Sequence, residues 1–238
     1  MLLSTEAIVL KSISYGDSSI ISSILTKNYG KISIIAKGVK KNKSTSRVLL
    51  EPLTIVNINC YYKKQRKTQI LKNIELLENI PNIRNDLDEL NSAIQMLDII
   101  NHTLQDYEET GVIFRLLKSA LLKLNERILS PKLLLGFFLI QLYIQLGYMP
   151  DFIDCSYCHA KVKNNLICNF CRNHYSLNMN SNQIEGIKLL IKTHINDIGK
   201  LNLLNNDILI INNYLYNYGM LFLHGFNNIK SLKVDKNG

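Results

Sequence analysis

The chain has no G-x4-G-K-[ST] phosphate loop, no G-x-S-x-G elbow and no H-E-x-x-H pair. The usual signatures of NTPases, hydrolases and zinc proteases are therefore missing, and with them most of the support for an enzyme. Met1 to Leu10 has no basic opening and no small-residue cleavage site, so no secretory leader is expected and the cytoplasm is the expected compartment. Long hydrophobic runs are scarce. The longest, Leu133 to Met149, contains Gln141 and Gln145, stops at Pro150 and falls short of the roughly 18 to 20 residues that a spanning helix needs. It reads as a helix buried on all sides of a globular domain. No internal repeat or low-complexity linker interrupts the chain.

What is present is a sizeable apolar fraction and an uneven charge. Of 238 residues, 47% are hydrophobic, enough for one large domain or two modest ones. The net charge of +9 is distributed as +8 over residues 1–80, −4 over 81–154 and +5 over 155–238. A basic module joined to an acidic middle is the footprint of a protein that meets a polyanion with one part of itself.

The first 80 residues read as strands. Glu6 to Ile13, Ile20 to Thr26, Lys31 to Lys37, Leu53 to Tyr62 and Thr68 to Leu76 are β-rich runs, separated early on by turns at Tyr15-Gly16-Asp17 and Asn28-Tyr29-Gly30. In the fourth run Val56, Ile58, Cys60 and Tyr62 alternate with Asn57, Asn59 and Tyr61, which gives one apolar face. Five strands suit a small closed barrel, an OB-fold in the first instance and an SH3-like barrel as the alternative that periodicity leaves open. After Pro81 the period changes. Leu87, Leu90, Ile94 and Leu97, then Ile113, Leu116, Leu117, Ala120, Leu121 and Leu124, describe amphipathic helices with their acidic residues outward. The apolar helix follows from Pro131 to Leu146, and two more are expected over about Asn182 to Thr193 and Asn206 to Phe222. The expected fold is α+β: an OB barrel over residues 1–80, then a helical domain over 81–238 with a metal-binding insertion at 151–180.

Cys155-Ser-Tyr-Cys158 is followed after nine residues by Cys168-Asn-Phe-Cys171. Each C-x2-C pair places two thiolates on one tight knuckle, and two knuckles supply the four sulfur ligands that Zn²⁺ favours. A redox pair and a pair of disulfides are the alternatives, the latter disfavoured in a cytoplasmic chain. With four protein ligands no coordination position remains for water or substrate, so the metal, one per chain, is expected to be structural. His159 and His174 flank the knuckles as substitute ligands or, more simply, as exposed loop histidines. Cys60 reads as a small buried hydrophobe.

Two basic loops carry the remaining signal. Lys37, Lys40, Lys41, Lys43 and Arg47 lie on one, and Tyr61, Lys63, Lys64, Arg66 and Lys67 lie on the hairpin between the fourth and fifth strands. Lys and Arg there neutralise phosphates, and an exposed Tyr61 offers a ring on which a base can stack.

The stretches Glu6-Ala-Ile-Val-Leu10, Tyr15-Gly-Asp17, Thr26, Gly30, Ala36-Lys-Gly38, Lys40-Lys41 and Leu50-Glu-Pro52 resemble, in type and order, the amino-terminal domain of RecO proteins. Leu146-Gly-Tyr-Met-Pro150 leading into Cys155-x-x-Cys158 resembles that family's helix end and zinc site, and Ser231-Leu-Lys-Val234 its closing segment. The gap between knuckles is shorter than the family pattern, and Asn164-Asn165 replaces a frequent glycine pair. The resemblance implies a non-enzymatic, nucleoid-associated DNA repair and recombination protein. Such a protein binds single- and double-stranded DNA, anneals complementary strands and works with RecR and SSB to load RecA. Two rival readings differ in class. A zinc-ribbon regulator would need a basic recognition helix, which is not seen, and a zinc-dependent nucleic-acid enzyme would need an open metal position and a base, for which only Asp154 is near.

Overall fold

The computed structural model describes residues 1–40, 45–63, 65–108, 110–163, 165–174, 179–229 and 231, with the backbone alone at residue 174. Lys41, Lys43 and Lys64 among the expected contacts, the side chain of His174, and most of the closing segment lie outside the described residues.

Five strands, β1 (Leu2–Tyr15), β2 (Ser19–Thr26), β3 (Gly30–Ala36), β4 (Ile55–Tyr61) and β5 (Thr68–Glu78), close into a barrel in the order β1-β2-β3-β5-β4. β1 is long enough to serve two neighbours. Leu2 to Ile8 pair with β4, Ala7 to Tyr15 pair with β2, and an irregularity between Val9 and Lys11 bends the strand between the two. The barrel shuts where β3 runs parallel to β5, with Ser33 opposite Thr68, Ile34 opposite Gln69 and Ile35 opposite Ile70. This order, with a parallel closing seam and the short helix α1 (Thr45–Leu49) between β3 and β4, is of the OB type and removes the SH3-like alternative. Alternation puts Leu3, Ala7, Val9, Ile24, Ile32, Ile34, Val56, Ile58 and Cys60 inside, all essentially inaccessible. Each buried Val, Leu or Ile of this set contributes about 1.5 to 3 kcal/mol as an upper estimate.

The chain divides into two compact units, Met1–Asn125 with Asn228–Gly238, and Glu126–Asn227. In the first, α2 (Leu87–Thr103) and α3 (Gly111–Glu126) accompany the barrel, which explains why Ile8, Leu10 and Leu25 are as buried as the barrel interior. α2 is capped by Asp86, whose side chain accepts from the N–H groups of Asp88 and Glu89. Its inward face differs from the expected one. Leu97 is buried as expected and Leu90 is half-buried, but Leu87 is 70% exposed and Ile94 37%, while Ala93, Met96, Ile99 and Ile100 are buried, and so is the acidic Glu89. The small side chains of Ser92 and Ala93 lie in that buried face beside Met96 and Ile99, and only Leu87 and Ile94 of the expected stripe are turned to solvent. On β2 and β3, Ser23 Oγ donates to Asn101 Oδ1 at 2.8 Å and Lys31 Nζ to Asn101 O at 2.8 Å, fixing the end of α2.

The second unit is built on α4 (Pro131–Gln145), which packs against α6 (Ser181–Lys192) and α7 (Asn205–Phe222). Residues 133–140 are all buried, as expected of the apolar run, and no helix among the described residues is long and apolar enough to cross a membrane. Its polar groups are used within the unit. Gln141 Nε2 donates to Leu190 O at 3.0 Å, and Tyr143 Oη to Leu215 O at 2.7 Å.

Candidate metal centre and nucleic-acid interface

The first cysteine pair sits on a tight knuckle closed by an antiparallel bridge between Asp154 and Lys161: Cys155 N–H donates to Ala160 O at 2.8 Å, His159 N–H to Cys155 O at 3.0 Å, and Val162 N–H to Ile153 O at 2.7 Å. His159 takes the left-handed conformation, φ 58°, which turns the chain back on itself. The second pair enters a short helix, α5 (Asn169–His174), which carries Cys171. Ser156 holds the two together. Its N–H and its hydroxyl both donate to Leu166 O, at 2.9 Å each, and the hydroxyl also bonds the buried Tyr214 Oη of α7 at 2.8 Å.

The four sulfurs thereby lie within 4.8 Å of one another, with Cys158 and Cys168 3.6 Å apart. A tetrahedron with metal–sulfur bonds of about 2.3 Å has edges of roughly 3.8 Å, so the donor set fits a zinc-sized ion. All four are free thiols, and 3.6 Å is far beyond a disulfide bond. Cys155 and Cys171 are buried, Cys168 is half-buried and Cys158 is exposed. Burial pushes the Cys155 thiol up, but the N–H groups of Cys158, Cys168 and Tyr157 outweigh it and bring it down to about 6. Burial and then the neighbouring sulfurs of Cys158, Cys168 and Cys155 push Cys171 far upward. Four such thiols lose their protons together only against a cation. Among the described residues the cluster consists of these cysteines, and His159 stands outside it, exposed.

The basic loops occupy opposite ends of the β3–β5 seam, because parallel strands place the segment after β3 and the segment before β5 at different ends. From Lys67 to the level of Lys72 is about 16 Å of strand, roughly the length of five stacked nucleotides of one DNA strand. At one end Lys37 and Arg47 are exposed. Lys40 is tied down there, its Nζ donating to Gly16 O at 2.9 Å and its N–H to Ser18 O at 3.0 Å, so it staples this loop to the β1–β2 turn. At the other end Lys63 and Lys67 are exposed and Arg66 is half-buried. Tyr61 is 48% exposed on the outer face, whereas Tyr62 turns towards Tyr29 and Tyr107 with ring centroids 6.1 and 6.2 Å away.

Residues 1–80 match the family model "Recombination protein O N terminal" and residues 84–219 match "Recombination protein O C terminal". The chain belongs to the RecO family. Among its similar proteins is the DNA repair protein RecO of Thermodesulfovibrio yellowstonii, 33% identical over 179 residues that span 72% of this chain and 71% of the relative. The DNA repair protein RecO of Thermoanaerobacter sp. is 30% identical over 176 residues, 71% of this chain and 68% of the relative. That of Syntrophus aciditrophicus is 32% identical over 156 residues, 66% and 60% of the two chains.

Within this RecO family member the structure adds residues that no sequence pattern marked. A groove of about 300 Å³ opens between the end of β3 and the middle of β5, lined by Lys37, Val39, Ser46, Leu71 and Lys72. Lys72 belongs to no basic run, and only the outward phase of β5 would have exposed it. Tyr15, 57% exposed beside the β1–β2 turn, offers a second ring at that end. Gln69 is wholly buried at the start of β5 and bonded to the basic loop, and Tyr107, from the connection between α2 and α3, bonds the same loop. No signal in the sequence ties residue 107 to residue 66.

Proposed function

We propose that this protein is a non-enzymatic DNA repair and recombination mediator of the cytoplasm and nucleoid. In this reading the barrel binds single- and double-stranded DNA and anneals complementary strands. With RecR, the protein then helps load RecA onto single strands coated with SSB. The observation that carries the reading is the disposition of cations on an OB-type barrel in a RecO family chain. Lys37, Arg47 and Lys72 stand at one end of the β3–β5 seam, and Lys63, Arg66 and Lys67 at the other. Phosphates bound along that line lose their mutual repulsion, and complementary bases supply recognition when a second strand arrives. The names of the relatives, DNA repair proteins, support the same role.

Cys155, Cys158, Cys168 and Cys171 would hold one Zn²⁺, which supplies cross-linking of the two knuckles and no reaction chemistry, since all four positions are taken by protein. The knuckles themselves are seated through Ser156 on Tyr214. The deciding experiment follows the annealing of complementary oligonucleotides by the zinc-loaded protein in buffer without nucleotide. Acceleration over the spontaneous rate supports the reading, and an unchanged rate with folded protein rejects it.

A further inference from the structure

The loop between β4 and β5 is held from outside the barrel. Arg66 N–H donates to Lys63 O at 3.0 Å and closes a turn. The carbonyls of Lys63 and Arg66, at the two ends of that turn, accept from two side chains. The Gln69 carboxamide donates to Arg66 O at 2.9 Å and Lys63 O at 3.1 Å while its oxygen accepts from Lys63 N–H at 2.9 Å. Tyr107 Oη donates to Arg66 O at 2.8 Å and accepts from Gln69 Nε2 at 3.1 Å.

Tyr107 is in turn fixed to β3. Its N–H donates to Lys31 O at 2.9 Å, and Asp106 forms an isolated bridge with Lys31. It adopts φ 66°, a conformation that a tyrosine seldom takes, and its ring meets that of Tyr62 edge-on at 6.2 Å. The parallel seam makes this possible, since it sets the start of β3 beside the start of β5. With the backbone polar groups of Lys63 and Arg66 turned inward, the side chains of Lys63 and Lys67 are left in solvent.

We propose that Gln69 and Tyr107 are positioning residues for nucleic acid, a pair that sets the β4–β5 loop in advance so that Lys63, Arg66 and Lys67 meet phosphates as a preformed array. The proposal rests on the DNA-binding reading above and deepens it. A loop ordered before binding does not have to be ordered at the cost of affinity, so the pair acts on DNA without touching it. Tyr107→Phe removes only the hydroxyl and keeps the ring against Tyr62.

The test uses the full zinc-loaded chain and fluorescein-labelled single strands of two unrelated sequences, with anisotropy titrations over a range of salt. Amide hydrogen exchange of Lys63, Gln65, Arg66 and Lys67 is followed alongside. Tyr107→Phe should speed exchange in the loop, leave β1 and β2 protected as in wild type, and weaken both single strands by about 3- to 10-fold. Gln69→Glu keeps the shape and the oxygen but loses the carboxamide donor; it should do the same, and more strongly. Lys63→Glu with Arg66→Glu is the control for the underlying reading. If that control weakens binding while Tyr107→Phe loosens the loop and leaves affinity unchanged, the pair is merely structural and the proposal falls alone. If Tyr107→Phe leaves loop exchange unchanged, the proposal falls as well. If the control itself binds as wild type, the loop does not meet DNA, and the reading beneath the proposal fails with it.

Discussion

Replacing Gly30 by Ala should disturb the basic loop from a distance. Gly30 has φ 66°, and an added Cβ would lie 1.8 Å from Glu108 O and 2.8 Å from its carbonyl carbon. An ordinary carbon–oxygen contact is roughly 3.3 to 3.6 Å, so the connection carrying Tyr107 and Glu108 must retreat by about 1.5 Å. The left-handed backbone costs an alanine about 1 to 2 kcal/mol. Retreat endangers the bond from Tyr107 N–H to Lys31 O and those at Tyr107 Oη, at about 1 kcal/mol each. A loss of roughly 2 to 4 kcal/mol follows if one or two of these bonds break. The assay is chemical denaturation of the variant by far-UV circular dichroism, with hydrogen exchange reporting β2, β3 and residues 63–67 separately. A destabilisation under about 0.5 kcal/mol, the size of a neutral surface change, would refute the close approach and with it the anchoring of Tyr107.

Other expectations follow from the same structure. Purified under reducing conditions without chelator, the protein should contain about one zinc per chain, and Cys155→Ser or Cys168→Ser should lose it with a lower melting temperature. Metal analysis finding none rejects the site. Hydrogen bonding from Lys27, then Lys118, holds the Glu6 carboxyl below the usual carboxylate value against the effect of its burial. Its contribution is thus full above the unfolded-state value and disappears as pH falls through the lower folded one; Glu6→Gln should flatten the acid limb of a stability–pH curve, by no more than about 1 kcal/mol for so open a pair. Leu87→Gln should change stability by under about 0.5 kcal/mol and Met96→Ala by about 2 to 5, the reverse of what the apolar spacing of α2 suggests. Tyr61→Ala should cost single-strand binding about 1 to 3 kcal/mol if a base stacks on the ring, and nothing measurable if the ring is only wetted.

The cysteine cluster was legible in the sequence because its four members come as two local C-x2-C pairs, and spacing within a turn is a local property. The five strands were legible for the same reason, since alternation such as Val56, Ile58 and Cys60 is written residue by residue. Strand order was not, because the choice between OB and SH3-like barrels lies in the parallel pairing of Ser33 with Thr68, which no local pattern encodes. That pairing also decided that the two basic loops stand at opposite ends of a seam. The face of α2 was misjudged at Leu87 and Ile94, though not at Leu97, because its buried stripe mixes Ala93 and Met96 with the polar Ser92, Gln95 and Glu89. The bond between Tyr107 and Arg66 spans 41 residues and depends on a left-handed tyrosine, for which composition and periodicity carry no mark.

The most direct test of the central claim is the salt dependence of single-strand binding by two double variants, Lys37→Glu with Lys72→Glu and Lys63→Glu with Arg66→Glu. Each pair lies at one end of the seam, and none of the four side chains is in the barrel interior. The account predicts weaker binding to unrelated sequences alike in both variants, with slower annealing. The dependence of log K on log salt should become shallower by roughly 0.7 for each phosphate that is no longer neutralised. Wild-type affinity, slope and annealing in both variants, with the fold intact, would contradict it and move any DNA binding to the basic carboxy-terminal third.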